Sequence, residues 1–255
     1  MGVSMEFLEK NINKIILGDS YELIKLIPDK SIDLIVTDPP YLINYKTSYR
    51  KDKDHKFCKE IANDNNPELV KNIINESYRI LKNNSAMYIF CSFDKVDFFK
   101  QCIEQSGFKI KNMIIWVKNN WTAGDLENAY GKQYELCFYV NKGLRKINGK
   151  RITDVWDSKN IKGLKRVVGD EQLHQNQKPL ELIKMMIEKS SNDWDIVFDP
   201  FSGSGTTCVA SKELCRRYIG FEIDEEYYQI SLNRINGITA EGQTSIFTNF
   251  EELEK

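Results

Sequence analysis

Short apolar runs alternate with amphipathic segments along most of this chain of 255 residues, and the alternation restricts the fold more than any other feature. Runs with the length and composition of strands lie at residues 14–19, 33–38, 85–93, 108–117, 134–140, 195–200 and 216–224. Segments with helical spacing lie at residues 67–82, 94–106, 179–190, 206–215 and 225–236. Pro67 and Pro179 suit first-turn positions of their helices. Because apolar strands that alternate with helices form parallel sheets covered on both sides, the pattern predicts an α/β fold, with a mostly parallel seven-stranded sheet and helices on both faces.

Acidic side chains stand at or near the ends of four predicted strands: Asp19, Asp38, Asp199 and Glu222. Open parallel sheets bind ligands in the loops at the carboxyl ends of their strands. One carboxylate at such a position is commonly a helix N-cap. Four of them, with glycines and prolines nearby, favour a ligand site at this edge of the sheet.

A glycine-containing loop, DPFSGSGTT at residues 199–207, follows one predicted strand and precedes a predicted helix. Gly203 and Gly205 permit a tight turn, with several backbone N–H groups pointing outward at a helix N-terminus. The loop lacks the lysine of a phosphate-binding P-loop and the third glycine of a dinucleotide fingerprint. With Asp199 before it, the loop suits a ligand that carries an ammonium and a carboxylate, such as the amino-acid half of S-adenosylmethionine. Glu222 is then placed for ribose hydroxyls.

The stretch Asp38-Pro39-Pro40-Tyr41 stops a strand abruptly, so it is either a plain loop or a rigid platform for chemistry. Two adjacent prolines fix φ near about −65° and hold the Asp38 carboxylate and the Pro39 carbonyl still. Two fixed acceptors beside a flat ring match an exocyclic amino group on a planar base, which would stack on Tyr41 for about 1–3 kcal/mol. Hydrogen bonding both amino protons favours a pyramidal nitrogen with an available lone pair, so direct methyl transfer needs no metal. A base in a duplex reaches such a pocket only by leaving the stack, at a cost of about a few kcal/mol.

These motifs resemble the DNA amino-methyltransferases that use S-adenosylmethionine, with the catalytic tetrapeptide before the cofactor loop as in the permuted β class. Three further segments match in order: GDS at 18–20, QKP at 177–179 and IGFEIDEEYYQISLNR at 219–234. The resemblance covers most of residues 14–236. It implies a Rossmann-like methyltransferase fold in a single catalytic domain, residues 1–255.

The resemblance also implies the members of the site. Asp38, Pro39, Pro40 and Tyr41 would be catalytic. The cofactor would be S-adenosylmethionine, bound by Asp19, Ser20, Asp38, Lys178, Asp199, Phe201, Ser202, Gly203, Ser204, Gly205, Thr206, Thr207 and Glu222. In this family Asp-Pro-Pro-Tyr usually accompanies adenine N6 and Ser-Pro-Pro-Tyr cytosine N4, so Asp38 favours transfer to the N6 amino group of a flipped-out adenine.

Two segments are strongly basic although the formal net charge of the chain is −1. Residues 142–166 hold nine cations against two acids, and residues 46–59 hold six against two. Both are either solvated surface loops or contacts to phosphates, whose strength falls steeply with salt. The resemblance places a short target-recognition insert at about 142–175. The predicted DNA-binding residues are Lys46, Arg50, Lys51, Arg145, Lys146, Lys150, Arg151, Lys162, Lys165 and Arg166.

Cysteine, histidine and hydropathy patterns weigh against other classes of protein. Six cysteines without a C-x-x-C pair, together with only two histidines, predict no metal site. Scattered cysteines in apolar context predict reduced thiols and a cytoplasmic location. No apolar stretch approaches the length of about 18 residues that spans a membrane, and no signal peptide is expected. By resemblance we expect double-stranded DNA as partner, with a homodimer and a companion restriction endonuclease as further associations of a prokaryotic or phage-encoded protein.

Other functions stay open at this point. The same fold supports methylation of cytosine N4, or of adenine in RNA or single-stranded DNA. A non-catalytic nucleic-acid-binding module is the alternative from another class, and the intact DPPY motif argues against it. A nicotinamide oxidoreductase would need the missing third glycine.

Overall fold

Eight strands form one sheet in the computed structural model, which describes residues 3–42, 64–118, 127–157 and 177–237. In chain order the strands are β1 Lys14–Leu17, β2 Ile32–Thr37, β3 Leu81–Cys91, β4 Lys109–Val117, β5 Tyr134–Lys142, β6 Val155–Trp156, β7 Ile196–Asp199 and β8 Arg217–Glu222. Across the sheet they lie in the order β1-β8-β7-β2-β3-β5-β4-β6. Five neighbouring pairs are parallel, and only β5 runs antiparallel to its two neighbours. The predicted mostly parallel sheet is confirmed.

Helices cover both faces of this sheet. They are α1 Val3–Asn11, α2 Ser20–Leu23, α3 Pro67–Ile80, α4 Val96–Gln105, α5 Leu180–Ser190, α6 Thr206–Glu213 and α7 Glu225–Ile235. Successive side chains of a strand point to opposite faces. Ile35 of β2 therefore packs in one core with Ile73 of α3, whereas Leu34 packs in the other core with Leu182 of α5. All four are at most 2% exposed, so truncating any one of them to alanine would cost about 2–5 kcal/mol.

The order of strands reverses direction between β2 and β7, which lie side by side in the middle of the sheet. From β2 the chain crosses through α3 to β3 on one side, and from β7 it crosses through α6 to β8 on the other. The two crossovers diverge and leave a crevice at the carboxyl ends of β2 and β7. We refer to this side of the sheet as the carboxyl edge.

The structure departs from the sequence-based prediction in a few elements. An eighth strand, β6, has only two residues at the edge of the sheet, too few to show a periodicity. Strand β3 begins at Leu81 rather than at residue 85, because it follows α3 without a turn. Pro67 does open α3, but Pro179 is the N-cap that precedes α5. The short helices α1 and α2 were not predicted. Within the described residues, no helix is long and apolar enough to cross a membrane.

Candidate active site

The pairing of β2 with β7 brings the two sequence motifs together. Leu34 lies opposite Val197 and Ile35 opposite Phe198, so the loops that follow the two strands leave the sheet side by side. The hydroxyl of Thr207 also donates to the main-chain oxygen of Val36 at 3.5 Å. The predicted catalytic loop, residues 38–41, and the predicted cofactor loop, residues 199–207, therefore share one crevice.

Asp38 is held from two sides in this crevice. The hydroxyl of Tyr41 donates to its Oδ1 at 2.5 Å, and the ammonium of Lys178 donates to its Oδ2 at 2.5 Å. Burial raises the pKa of the Asp38 carboxyl above its ordinary value, and the Lys178 cation opposes that rise. A carboxylate offers about four acceptor positions, so Asp38 keeps capacity for a further donor. Its side chain is 21% exposed, which leaves that capacity accessible.

Lys178 was predicted to bind the cofactor, but the structure places its ammonium between two carboxylates. Beyond Asp38, it lies 3.1 Å from Oε2 of Glu135 on β5. Burial would lower the pKa of Lys178, yet the charges of Asp38 and Glu135 raise it above the ordinary value. Burial would likewise raise the pKa of Glu135, yet Lys178 and Lys118 hold it below the ordinary value. Lys178 and Glu135 are therefore both charged at neutral pH.

Glu135 and Lys118 are site residues that the sequence reasoning missed. Lys118, which follows β4, donates to Oε1 of Glu135 at 2.7 Å. The sequence did contain a signal for Glu135: it is a charged residue in the otherwise apolar strand 134–140, and a buried charge needs a partner. The identity of that partner could not be read from the sequence, since Lys178 is far away along the chain.

The loop between β7 and α6 is fixed largely by its own backbone. The N–H of Ser202 donates to the oxygen of Phe221, and the N–H of Gly205 donates to the oxygen of Ser202, both at 2.8 Å. The N–H of Gly203 donates to Oε2 of Glu222 at 2.7 Å. Three N–H groups of this loop are thus bonded within the protein. These hydrogen bonds preorganise the loop.

Glycine is required at two positions around this loop. Gly205 adopts φ +79°, and a Cβ there would lie 2.9 Å from the Cβ of Ser231 on α7. At Gly220 of β8, a Cβ would lie 2.1 Å from Oγ of Ser202. In addition, the guanidinium of Arg234 on α7 donates to the backbone oxygen of Ser204 at 2.5 Å and so joins this helix to the loop. The close packing of α7, β8 and the loop leaves no room for larger residues.

Asp199 ends β7 beneath the loop and is 4% exposed. Its Oδ1 accepts from the N–H of Phe201 at 3.0 Å. Burial raises the pKa of the Asp199 carboxyl to about 7, although the hydrogen bond from the N–H of Phe201 opposes that rise. The nearby charge of Asp38 adds to the rise. A buried carboxyl with this pKa would become fully charged beside a cation, as expected for a partner of a ligand ammonium.

A cavity opens beside the loop, and its lining matches the nucleoside half of the predicted cofactor. Its polar lining includes Asp19, Ser20 and Glu222, and its apolar lining includes Phe201, Phe221 and Ile223. Each oxygen of Glu222 accepts one backbone N–H, from Gly203 and Asp224, which leaves further lone pairs for sugar hydroxyls. Ser20 donates its hydroxyl to the oxygen of Pro200, joining α2 to the loop. These residues fit a ribose and a planar base.

The predicted DNA-binding residues are not brought to this crevice where the structure describes them. Because β5 runs antiparallel, its last residue, Lys142, lies opposite Ser85, near the start of β3 and far from the carboxyl edge. The chain that follows stays there, since Lys189 at the end of α5 donates to the oxygen of Lys150 at 2.7 Å. Arg145 donates to the oxygen of Ser190 at 3.2 Å and is half-buried.

The other predicted DNA-binding residues divide into two groups. Lys146, Lys150 and Arg151 are exposed, and the first two lie on the far side of the sheet from Asp38. The predicted residues Lys46, Arg50, Lys51, Lys162, Lys165 and Arg166 lie outside the described residues.

The fold is that of a Rossmann-like methyltransferase, and its crevice has a cavity lined by Glu222 on one side and the Asp38 carboxylate on the other. Comparison with known proteins agrees. A model of the DNA methylase family matches residues 32–233, so the chain belongs to that family. The DNA adenine methyltransferase YhdJ of Escherichia coli strain K12 is 31% identical, over 87% of this chain and 82% of that protein.

Two further matches extend over nearly the same region. The putative methylase YubD of Escherichia coli strain K12 is 29% identical, over 89% of this chain and 92% of that protein. The crystal structure of the M1.HpyAVI–SAM complex superposes with a TM-score of 0.66 and 30% sequence identity, over 88% of this chain and 98% of that chain.

Proposed function

We propose that this chain is a DNA methyltransferase that transfers the methyl group of S-adenosylmethionine to the exocyclic N6 amino group of an adenine. One observation carries the proposal: Asp38, at the end of β2, lies in the same crevice as Asp199 and the 199–207 loop. An acceptor for an amino group and an acceptor for a ligand ammonium thus stand side by side. Family membership and the DNA adenine methyltransferase relative support this interpretation.

The cofactor-binding residues hold the two ends of the methyl donor. Glu222 would accept from its ribose hydroxyls, while Phe201, Phe221 and Ile223 would enclose its planar base. Asp199 would accept from its ammonium. Bound there, S-adenosylmethionine supplies an electrophilic methyl group on a cationic sulfur. Burial of the acceptors strengthens each contact, because few water molecules compete for them.

The catalytic loop holds the amino group that receives the methyl group. One N–H of this amino group donates a hydrogen bond to Asp38, and the other donates to the carbonyl of Pro39, which lies between two prolines. The hydroxyl of Tyr41 donates to Asp38, which turns the ring edge toward the carboxylate and leaves a ring face for stacking with the target base. An amino nitrogen held by two acceptors presents its lone pair for attack. The aspartate also stabilises the positive charge that the nitrogen gains in the transition state.

Several finer features belong to the same proposal. The chain would act as a single catalytic domain, residues 1–255, with a target-recognition insert at about 142–175, on double-stranded DNA and without a metal. The described cysteines are all free, which supports a reducing, cytoplasmic environment. A homodimer and a companion restriction endonuclease remain predictions from the family resemblance.

Incubation with methyl-tritiated S-adenosylmethionine tests the proposal. Unmethylated duplex DNA of mixed sequence, the same DNA as single strands, and RNA would serve as parallel substrates. We expect label chiefly in duplex DNA, and none above background with the Asp38→Ala variant. Label that is equal in RNA and duplex DNA would refute selectivity for duplex DNA, and label that is equal in the variant would refute the role of Asp38.

A further inference from the structure

Four charged side chains form a continuous series that ends at the catalytic carboxylate. Lys118 lies 2.7 Å from Glu135, Glu135 lies 3.1 Å from Lys178, and Lys178 lies 2.5 Å from Asp38. None of these side chains is more than 22% exposed. Two cations alternate with two anions, so the series as a whole is neutral.

Lys178 presents an electrostatic problem for the proposed reaction. Its ammonium cancels much of the negative charge of Asp38 at short range. The reaction brings a cationic cofactor to the crevice and develops positive charge on the attacking nitrogen. An unneutralised ammonium at this place would repel both, and the repulsion would be strong because the group is buried.

We propose that Glu135 is a positioning residue of this site: it binds the same ammonium of Lys178 that contacts Asp38 and neutralises the charge of that ammonium. This inference rests on the proposed function, because it concerns how Asp38 serves the methyl transfer. Asp38 then keeps its negative charge toward the cofactor and the amino group, while Lys178 still fixes the orientation of its carboxylate. Lys118 completes the series by binding the second oxygen of Glu135.

The sheet gives Glu135 the rigidity that such a role needs. It lies in β5, opposite Trp116 of β4, and the next residue, Leu136, lies opposite Cys91 of β3. Backbone pairing on both sides fixes the position of its side chain at the carboxyl edge. Among the residues that the structure describes, the titratable groups close enough to interact with Asp38 include Lys178, Tyr41, Glu135, Cys91, Cys137 and Asp199.

Calorimetry with two ligands separates charge from shape. S-adenosylmethionine carries a sulfonium cation, whereas S-adenosylhomocysteine has a neutral sulfur in nearly the same frame. Glu135→Gln, which leaves Lys178 unneutralised, should weaken binding of the cationic ligand about fivefold and leave the neutral ligand unchanged. Lys118→Met leaves an excess negative charge and should tighten binding of the cationic ligand. The double variant should return close to the affinity of the unmodified protein.

Kinetics on duplex DNA provide a second readout. In Glu135→Gln we expect kcat to fall about tenfold with little change in KM for DNA, because the loss concerns charge that develops in the transition state. The acidic limb of the kcat profile should move to lower pH, since the charge of Glu135 raises the pKa of Asp38.

Asp33→Asn is the matched control. Like Glu135, Asp33 is a carboxylate paired with a lysine, Lys82 at 2.7 Å; it also accepts from the N–H of Ile196 at 2.9 Å and lies at the opposite edge of the sheet. It should lower stability and leave the ratio of the two ligand affinities unchanged.

The outcomes distinguish this inference from the proposed function. An unchanged affinity ratio and pH limb in Glu135→Gln, with normal methylation by the unmodified protein, would overturn the inference alone. An unmodified protein that binds neither ligand would overturn both. If Glu135→Gln fails to fold, Lys118→Met decides, because weaker rather than tighter binding of the cationic ligand contradicts the inference.

Discussion

The ammonium of Lys178 lies 2.5 Å from Oδ2 of Asp38. This contact joins the segment before α5 to the end of β2, and it determines how the carboxylate is oriented at the carboxyl edge. Breaking a buried ion pair by removing one partner leaves an unpaired charge, which is more harmful than losing the pair itself. The contact is therefore open to a direct test of stability.

Lys178→Met should lower the free energy of unfolding by about 3–5 kcal/mol at pH 8, because the carboxylates of Asp38 and Glu135 would both lose their shared cation. The pKa of each carboxyl would rise without that cation. Protonation would then relieve the repulsion, so the deficit should shrink as the pH falls toward about 5. Urea unfolding at both pH values measures this.

The control for that experiment is Lys82→Met. Lys82 pairs with Asp33 at 2.7 Å but is 44% exposed, so its removal should change stability by only about 0–1 kcal/mol. A Lys178→Met deficit no larger than that of Lys82→Met would show that the central ion pair contributes little.

Asp199→Asn should stabilise the protein above pH 7. The pKa of Asp199 is about 7 in the folded protein, against 3.8 for a free aspartate side chain, so the folded state loses stability as the pH rises between these values. Removing the charge should restore on the order of 4 kcal/mol at pH 8 and little at pH 4. Urea unfolding across this range checks the prediction, and a constant difference between the two proteins would contradict it.

The same variant should weaken cofactor binding and remove its pH dependence. A ligand ammonium requires the charged form of Asp199, so the unmodified protein should bind S-adenosylmethionine more weakly as the pH falls below about 7. Calorimetry at pH 6 and pH 8 should show that slope in the unmodified protein and a flat, weaker response in Asp199→Asn. An unchanged slope would assign the ammonium to another residue.

Gly205→Ala should destabilise the protein more than Gly149→Ala. Both glycines have positive φ, +79° and +64°, so an alanine at either costs about 1–2 kcal/mol in backbone strain. At Gly205 the added Cβ also meets Ser231 at 2.9 Å, whereas at Gly149 the nearest atom lies at 3.9 Å. Thermal unfolding and cofactor titration should show larger losses of stability and of cofactor affinity for the Gly205 variant. Equal losses in the two variants would mean that α7 shifts to accept the added Cβ at no cost.

Neutralising Lys146, Lys150 and Arg151 together should leave the affinity for DNA and its salt dependence nearly unchanged. Lys146 and Lys150 lie on the far side of the sheet from Asp38, and Arg151 follows Lys150 directly in the chain. The comparison is a triple alanine variant of Lys162, Lys165 and Arg166, for which sequence alone predicts phosphate contacts. That variant should bind DNA more weakly, and its log–log salt slope should fall by about 0.9 for each phosphate that is no longer neutralised. Equal effects of the two variants would mean that DNA also contacts the side of the sheet that lies away from Asp38.

Local patterns predicted the strands and the two loops, while contacts between distant segments escaped prediction. The apolar run of β2 and the prolines after it are properties of a few neighbouring residues, and so are the glycines at 203 and 205. The direction of β5 is set by its pairing with β3 and β4, which no local signal reports. Because of that direction, Arg145 and Lys150 lie away from the site, whereas Glu135 lies within it. The same applies to Lys178, whose partner Asp38 is defined only by the fold.

The most direct test of the proposed function is the identity of the methylated base. Duplex DNA treated with the protein and S-adenosylmethionine would be digested to nucleosides and analysed by mass spectrometry, beside an Asp38→Ala control. We predict N6-methyladenine in the treated DNA and none above background in the control. N4-methylcytosine in place of N6-methyladenine, or equal N6-methyladenine in the control, would contradict the assignment of Asp38 to adenine methylation.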